Sequence, residues 1–150
     1  MTKKAAEPGT RKDVAAGDKN GPLVLIVDDV QDNRTVYVLF LKFSGFRVAE
    51  AENGADAIRQ AEALKPDIIV MDLSLPVMDG WEATRRLKRD PRTKKIPVVV
   101  LTGHALPEHA QAAREAGCDL VVTKPCLPDQ LLDVIRRILD SPKSRPKNER

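Results

Sequence analysis

The chain has 150 residues, with 25 Lys or Arg against 22 Asp or Glu and a formal net charge of +3, a length that suits one domain with a full hydrophobic core. The positive excess lies in the flanks: residues 1–22 hold five basic residues against three acids and residues 141–150 hold four against one, which leaves 23–140 slightly acidic and argues against a nucleic-acid-binding core. There is no run of ~18 apolar residues to span a membrane, and Lys3 and Lys4 are not followed by the apolar segment of a secretory signal.

Residues 1–22 lack periodicity and read as a disordered basic leader. From Leu23 onward, short Val/Ile/Leu runs alternate with helical patterns. Strands are expected at 23–27, 46–50, 67–71, 96–101 and 119–122, because continuous apolar runs suit a parallel sheet covered on both faces. Helices are expected near 32–43, 54–64, 79–89, 105–116 and 127–140. Ala57, Ala61 and Leu64 recur at helical spacing, as do Leu131, Val134, Ile135 and Ile138. Gly45 and Gly117 sit where left-handed helix ends are expected, and Asn53-Gly54 and Lys65-Pro66-Asp67 carry turn chemistry. Five βα units predict an α/β fold, a doubly wound five-stranded parallel sheet over 23–140, with right-handed crossovers. Residues 141–150, which include Pro142 and Pro146, read as a disordered basic tail.

In open α/β sheets the ligand crevice lies beyond the carboxyl ends of the strands. Those ends read Asp28-Asp29, Asp72, Thr102-Gly103 and Lys124-Pro125. A carboxylate at the end of a buried strand is expensive to desolvate, and three together repel one another unless a cation or proton offsets them. The donor set suits a hard divalent cation, Mg2+, held by carboxylates, backbone carbonyls and water. An Asp beside that cation can attack a phosphoryl group whose charge the metal and Lys124 offset, while Thr102 bonds a phosphoryl oxygen and Gly103 leaves room for the donor.

The segments Val24-Leu25-Ile26-Val27-Asp28-Asp29, Asp72 with Leu75-Pro76-Val77-Met78-Asp79-Gly80, Val99-Val100-Leu101-Thr102-Gly103, and Ala116-Gly117-Cys118-Asp119 leading to Thr123-Lys124-Pro125 resemble the receiver domains of two-component response regulators. The resemblance covers roughly residues 22–140. It implies a flavodoxin-like (βα)5 fold with strand order 2-1-3-4-5. It also implies that Asp72 accepts a phosphoryl group from a phosphohistidine on a sensor histidine kinase or histidine phosphotransfer protein. Asp29 would then ligate Mg2+ directly, Asp28 through water or a hydrogen bond, and Ser74 through its backbone carbonyl. Thr102 and Lys124 would bind the phosphoryl oxygens, and the Lys124–Pro125 peptide would be cis. The implied protein is a stand-alone, cytoplasmic signalling module, monomeric or weakly dimeric, with an unidentified downstream protein target. Its chemistry is limited to its own phosphorylation and dephosphorylation, and no membrane or nucleic-acid partner is expected. A phosphorylation-independent interaction module and the receiver segment of a larger hybrid kinase are the alternatives.

One position departs from the family pattern. Many receivers carry Tyr or Phe three residues before the Lys, where this chain has Val121, which has no ring to rotate inward. Signal propagation toward the fourth helix, fifth strand and fifth helix then lacks its usual carrier, which suits a phosphoryl carrier or signalling through another surface. Ser74 and His104, two residues beyond Asp72 and Thr102, are placed to tune dephosphorylation. Cys118 and Cys126 match no metal or redox spacing and read as free thiols. His104 and His109 read as surface or loop residues, Trp81 as a partly buried packing residue, and Arg85 to Lys95 as a solvated basic face. An FMN-binding flavodoxin is disfavoured, because Asp28-Asp29 would repel a phosphate at the first strand end. A phosphatase with an early Asp-x-Asp motif is disfavoured by the absence of that motif.

Overall fold

The structure, a computed structural model, describes residues 20–103 and 106–140. Its elements run β1 (Leu23–Val27), α1 (Gln31–Phe43), β2 (Arg47–Ala51), α2 (Gly54–Leu64), β3 (Ile68–Asp72), α3 (Gly80–Arg89), β4 (Val98–Thr102), α4 (Pro107–Ala116), β5 (Leu120–Thr123) and α5 (Pro128–Leu139). The strands form one sheet in the order β2-β1-β3-β4-β5, and every neighbouring pair is parallel. This is the expected doubly wound α/β architecture. The expected tail and His104 lie outside the described residues, as does most of the expected leader.

Strand residues alternate between two cores because successive side chains point to opposite faces. Val24, Ile26, Ile68, Val70, Val99 and Leu101 join Leu41 of α1 and Leu131 and Ile135 of α5. Leu25, Val27, Ile69, Met71, Val98 and Val100 join Ala57 and Ala61 of α2 and Ala83 and Leu87 of α3. All residues of β1, β3 and β4 are buried, whereas the edge strands β2 and β5 are largely half-buried or exposed. Among the described residues no helix is long and apolar enough to cross a membrane.

Boundaries differ from expectation by a residue or two where local chemistry decides them. β4 begins at Val98 because Pro97 has no N–H to give and Ile96 closes a turn onto the Thr93 carbonyl at 3.0 Å. β3 extends through Asp72, so the acid is the last residue of the strand instead of following it. Asn53 and Asp79 cap α2 and α3 by accepting the N–H of Asp56 and Glu82 at 2.8 and 2.9 Å. Gly45 and Gly117 have φ of 97° and 86°, as expected of left-handed helix ends. The ordered fold also reaches into the expected leader, since the carbonyls of Gly21 and Pro22 accept from the Arg47 side chain and backbone at 2.8 and 2.9 Å.

The basic stretch is less uniformly solvated than expected. Lys88 is a strut whose Nζ donates to the Ile96 carbonyl at 2.7 Å and pairs with Asp119 at 2.9 Å. Asp119 in turn accepts the Val98 N–H at 2.8 Å, so α3 is tied to the start of β4. Arg85 and Arg86 pair with Glu82 on their own helix, and Arg92 pairs with Asp90 and Glu62. Cys118 and Cys126 are free thiols, as expected.

α3 starts against the end of β3, with the Gly80 N–H bonded to the Leu73 carbonyl at 2.9 Å. A Cβ at Gly80 would stand 2.7 Å from the Asp72 carbonyl oxygen and 2.9 Å from the Leu73 Cα, both rigid backbone. Gly80→Ala is therefore expected to destabilise the protein by about 1–3 kcal/mol through overpacking. Urea unfolding followed by the single tryptophan, Trp81, would read this as a lower midpoint with an unchanged slope.

Candidate functional site

The β1–β3 pairing sets Val27 beside Met71, so Asp28 and Asp72 leave neighbouring strands at the same level. A carboxylate oxygen from each of Asp28, Asp29 and Asp72 lies within 4.8 Å of the other two. Asp28 and Asp72 are buried, while Asp29 is exposed and leaves the cluster open to solvent. The set offers hard oxygen donors with an open side, which fits a Mg2+ ion that keeps part of its hydration shell.

Lys124 Nζ pairs with Asp72 Oδ1 at 2.9 Å. Burial pushes the Asp72 carboxyl above its ordinary pKa, and the charge of Asp28 adds to that rise, while the hydrogen bond and charge of Lys124 oppose it. The Lys124–Pro125 peptide is cis, as the resemblance implied. Thr102 is buried at the end of β4, and its carbonyl accepts the Lys124 N–H at 2.7 Å. Ser74 is exposed, and its N–H makes a long 3.4 Å bond to Asp72 Oδ1. Asp28, Asp29, Asp72, Thr102 and Lys124 thus share one edge of the sheet, and Ser74 lies in the loop beside them.

That loop holds strained backbone. Val77, 89% exposed, has φ of 71°, and the Met78 N–H closes a tight turn onto the Pro76 carbonyl at 2.7 Å. A β-branched residue in this region costs on the order of 1–3 kcal/mol, so the surrounding contacts hold the loop against its own preference.

Three residues of α1 support the site without having stood out in the sequence. The Val30 N–H and the Asn33 amide reach the two oxygens of Asp28 at 2.9 and 3.4 Å. Arg34 Nη1 donates to the Asp28 carbonyl at 2.7 Å, and its Nε pairs with Glu50 at 3.0 Å. Tyr37 donates its hydroxyl to the Cys126 carbonyl at 2.6 Å. Their spacing of one helical turn, directly after a double Asp, is the signal the sequence offers for Asn33 and Arg34, whose shared partner Asp28 is five and six residues away, whereas Glu50 and Cys126 are distant in sequence.

Two cavities flank the acids. One, of about 480 Å3, lies between α1 and the β5–α5 loop and is lined by Asp28, Val36, Tyr37, Lys124 and Cys126 among others. The other, of about 560 Å3, is bordered by Asp29, Ser74, Asp79, Trp81 and His109. His109 is neither in a loop nor fully on the surface. It lies on α4, half-buried, with its ring edge-on to Trp81 at a centroid distance of 6.0 Å.

The model of the response regulator receiver domain matches residues 24–136. The polar-differentiation response regulator DivK of Brucella anthropi is 31% identical over 116 residues, covering 77% of this chain and 94% of that protein. The receiver domain of a sensor histidine kinase from Pseudomonas aeruginosa PAO1, solved with a magnesium ion coordinated in its active site cleft, aligns with a TM-score of 0.74 at 33% identity. That alignment covers 81% of this chain and 99% of the other. The chemotaxis response regulator CheY4 of Vibrio cholerae aligns with a TM-score of 0.75 at 30% identity, over 80% and 100% of the two chains. The family match runs through all five strands and each strand end that carries an acid, the threonine or the lysine, and the chain belongs to the response regulator receiver domain family of two-component signalling.

Proposed function

We propose that Asp72 is the phosphoacceptor of this receiver and that the donor is a phosphohistidine on a sensor histidine kinase or a histidine phosphotransfer protein. The observation that carries this reading is the Asp72 carboxylate itself. It is buried at the end of β3, paired with Lys124 at 2.9 Å, and has two further carboxylates within 4.8 Å. A carboxylate oxygen of Asp72 attacks the phosphorus, a P–O bond forms as the P–N bond breaks, and the electron pair leaves with the imidazole nitrogen. The Lys124 ammonium transfers from the carboxylate to the phosphoryl oxygens, and the Thr102 hydroxyl donates to one of them. In the return reaction a water oxygen attacks the same phosphorus, loses a proton to solvent, and releases inorganic phosphate with the free carboxylate.

Asp28, Asp29, Asp72 and the backbone carbonyl of Ser74 would hold Mg2+. When bound, the ion supplies positive charge that offsets the phosphoryl oxygens. The protein's own chemistry on this reading is confined to gaining and losing one phosphoryl group, as a cytoplasmic module that hands its state to a protein target. The likeness to the receiver domain of a sensor kinase, over 99% of that domain, supports a second setting in which this receiver works within a hybrid kinase.

Three outcomes are expected. Incubation with acetyl phosphate and Mg2+ adds the mass of one phosphoryl group to the intact protein and none to Asp72→Asn, while Lys124→Ala labels on the order of 10²-fold more slowly. Equal labelling of Asp72→Asn would overturn the assignment. No labelling of the wild type would favour a phosphorylation-independent module.

The raised pKa of Asp72 sets the second outcome. Ionised Asp72 weakens the fold above its folded-state pKa, and this cost is relieved as pH falls through that value toward the lower unfolded-state value. Asp72→Asn is therefore expected to raise Tm at neutral pH without metal. The gain should shrink on acidification.

Third, Mg2+ is expected to raise Tm of the wild type and to have far less effect on Asp29→Asn, since only the folded state gathers the ligands. Differential scanning calorimetry with and without chelator measures both thermal effects.

A further inference from the structure

The segment that carries Lys124 is fixed at two points. At its start the Lys124 N–H donates to the Thr102 carbonyl at 2.7 Å. Two residues on, the Cys126 carbonyl accepts the Tyr37 hydroxyl at 2.6 Å, across 89 positions of sequence. The Lys124 side chain reaches Asp72 from between these anchors. Beside the second anchor lies the cavity of about 480 Å3, lined by both Tyr37 and Cys126. Packing is therefore absent on that side, and the hydrogen bond limits how far the segment can shift.

Tyr37 is itself well held. Its ring is half-buried against the core formed by α1, α5 and the sheet. One turn earlier on the same helix, Arg34 grips the Asp28 carbonyl at 2.7 Å and Glu50 at 3.0 Å. Residues three apart share a helix face, so a single face of α1 grips both the acid-bearing loop and the lysine-bearing loop. The phenol also senses the charge of the site. Its pKa is pushed up to about 12, chiefly by burial and then by Cys126, Asp28 and Asp72.

We propose that Tyr37 is a positioning residue for Lys124, acting through the Cys126 carbonyl, and that it responds when Lys124 exchanges the Asp72 carboxylate for a phosphoryl group. This rests on the reading of Asp72 as phosphoacceptor. A lysine side chain has four rotatable bonds, so placing Nζ within 2.9 Å of Asp72 depends on how firmly its backbone is anchored. Removing the hydroxyl leaves the Cys126 carbonyl without this donor and frees the segment toward the cavity. Val121 has no ring to follow the lysine, whereas Tyr37 contacts the lysine's own segment from α1, on the opposite side of the sheet from α3.

The test uses the full chain and a double-mutant cycle. Tyr37→Phe removes only the hydroxyl. It is expected to slow labelling by acetyl phosphate about 5-fold, as the loss of one hydrogen bond implies, while the Mg2+ dissociation constant read from Trp81 fluorescence stays within about 2-fold. In a Lys124→Ala background the same substitution is expected to change nothing further, because its effect passes through the lysine. Independent, additive slowing, or a Tyr37→Phe rate equal to wild type, overturns the proposal. A wild type that does not label at all overturns the phosphoacceptor reading instead. Because Tyr37 is the single tyrosine, 13C labelling at the ring Cζ gives one signal in the unmutated protein. That signal is expected to move when beryllofluoride, a phosphoryl stand-in, is added to the Mg2+-loaded protein, and an unmoved signal overturns the proposal whether or not the variant folds.

Discussion

Mutual repulsion among Asp28, Asp29 and Asp72 is the constraint around which this molecule is built. Three carboxylates within 4.8 Å of one another, two of them buried, oppose folding unless positive charge reaches them. Lys124 supplies part of that charge, yet burial and Asp28 still hold the Asp72 carboxyl above its ordinary pKa. The fold therefore keeps a site whose electrostatics are incomplete, and on the proposed reading a divalent cation would supply the missing positive charge. Perturbed titratable groups of this kind gather at functional sites more often than elsewhere.

The rest of the architecture serves to hold that arrangement rigidly. The β1–β3 register sets the acids side by side, and β4 and β5 bring Thr102 level with Thr123, one residue before Lys124. Gly80 lets α3 start against the Asp72 carbonyl, and the turn at Val77 folds the following loop at a conformational cost. On the other face, Arg34 and Tyr37 of α1 reach the backbones of both loops that carry the charged groups. These supports are hydrogen bonds to carbonyls, which fix a chain direction more firmly than apolar contact does.

Much of this was legible in the chain itself. Continuous Val/Ile/Leu runs located the strands, and acids at the ends of two of them exposed the site, because burial of a carboxylate is costly enough to be informative. The strand order came from the family resemblance, since hydrophobic pattern alone does not say which parallel strands are neighbours. Helix and strand limits shifted where a cap or a proline decided them, as at Asp79 and Pro97, while the helix capped by Asn53 has the expected limits. What stayed hidden were contacts between distant residues: Tyr37 with Cys126, Arg34 with Glu50, Lys88 with Asp119 and His109 with Trp81. Each partner is an ordinary helix, strand or loop residue by sequence and gains its role only from the tertiary fold.

The central claim is that Asp72 carries the phosphoryl group, and chemical trapping of the acyl phosphate tests it most directly. Borohydride reduces an aspartyl phosphate to homoserine, which peptide mass spectrometry assigns to a position. After exposure to a phosphodonor with Mg2+, homoserine is predicted at position 72 and at no other acid. Homoserine at position 28 or 29, or none in a protein that has gained a phosphoryl group, would contradict the account.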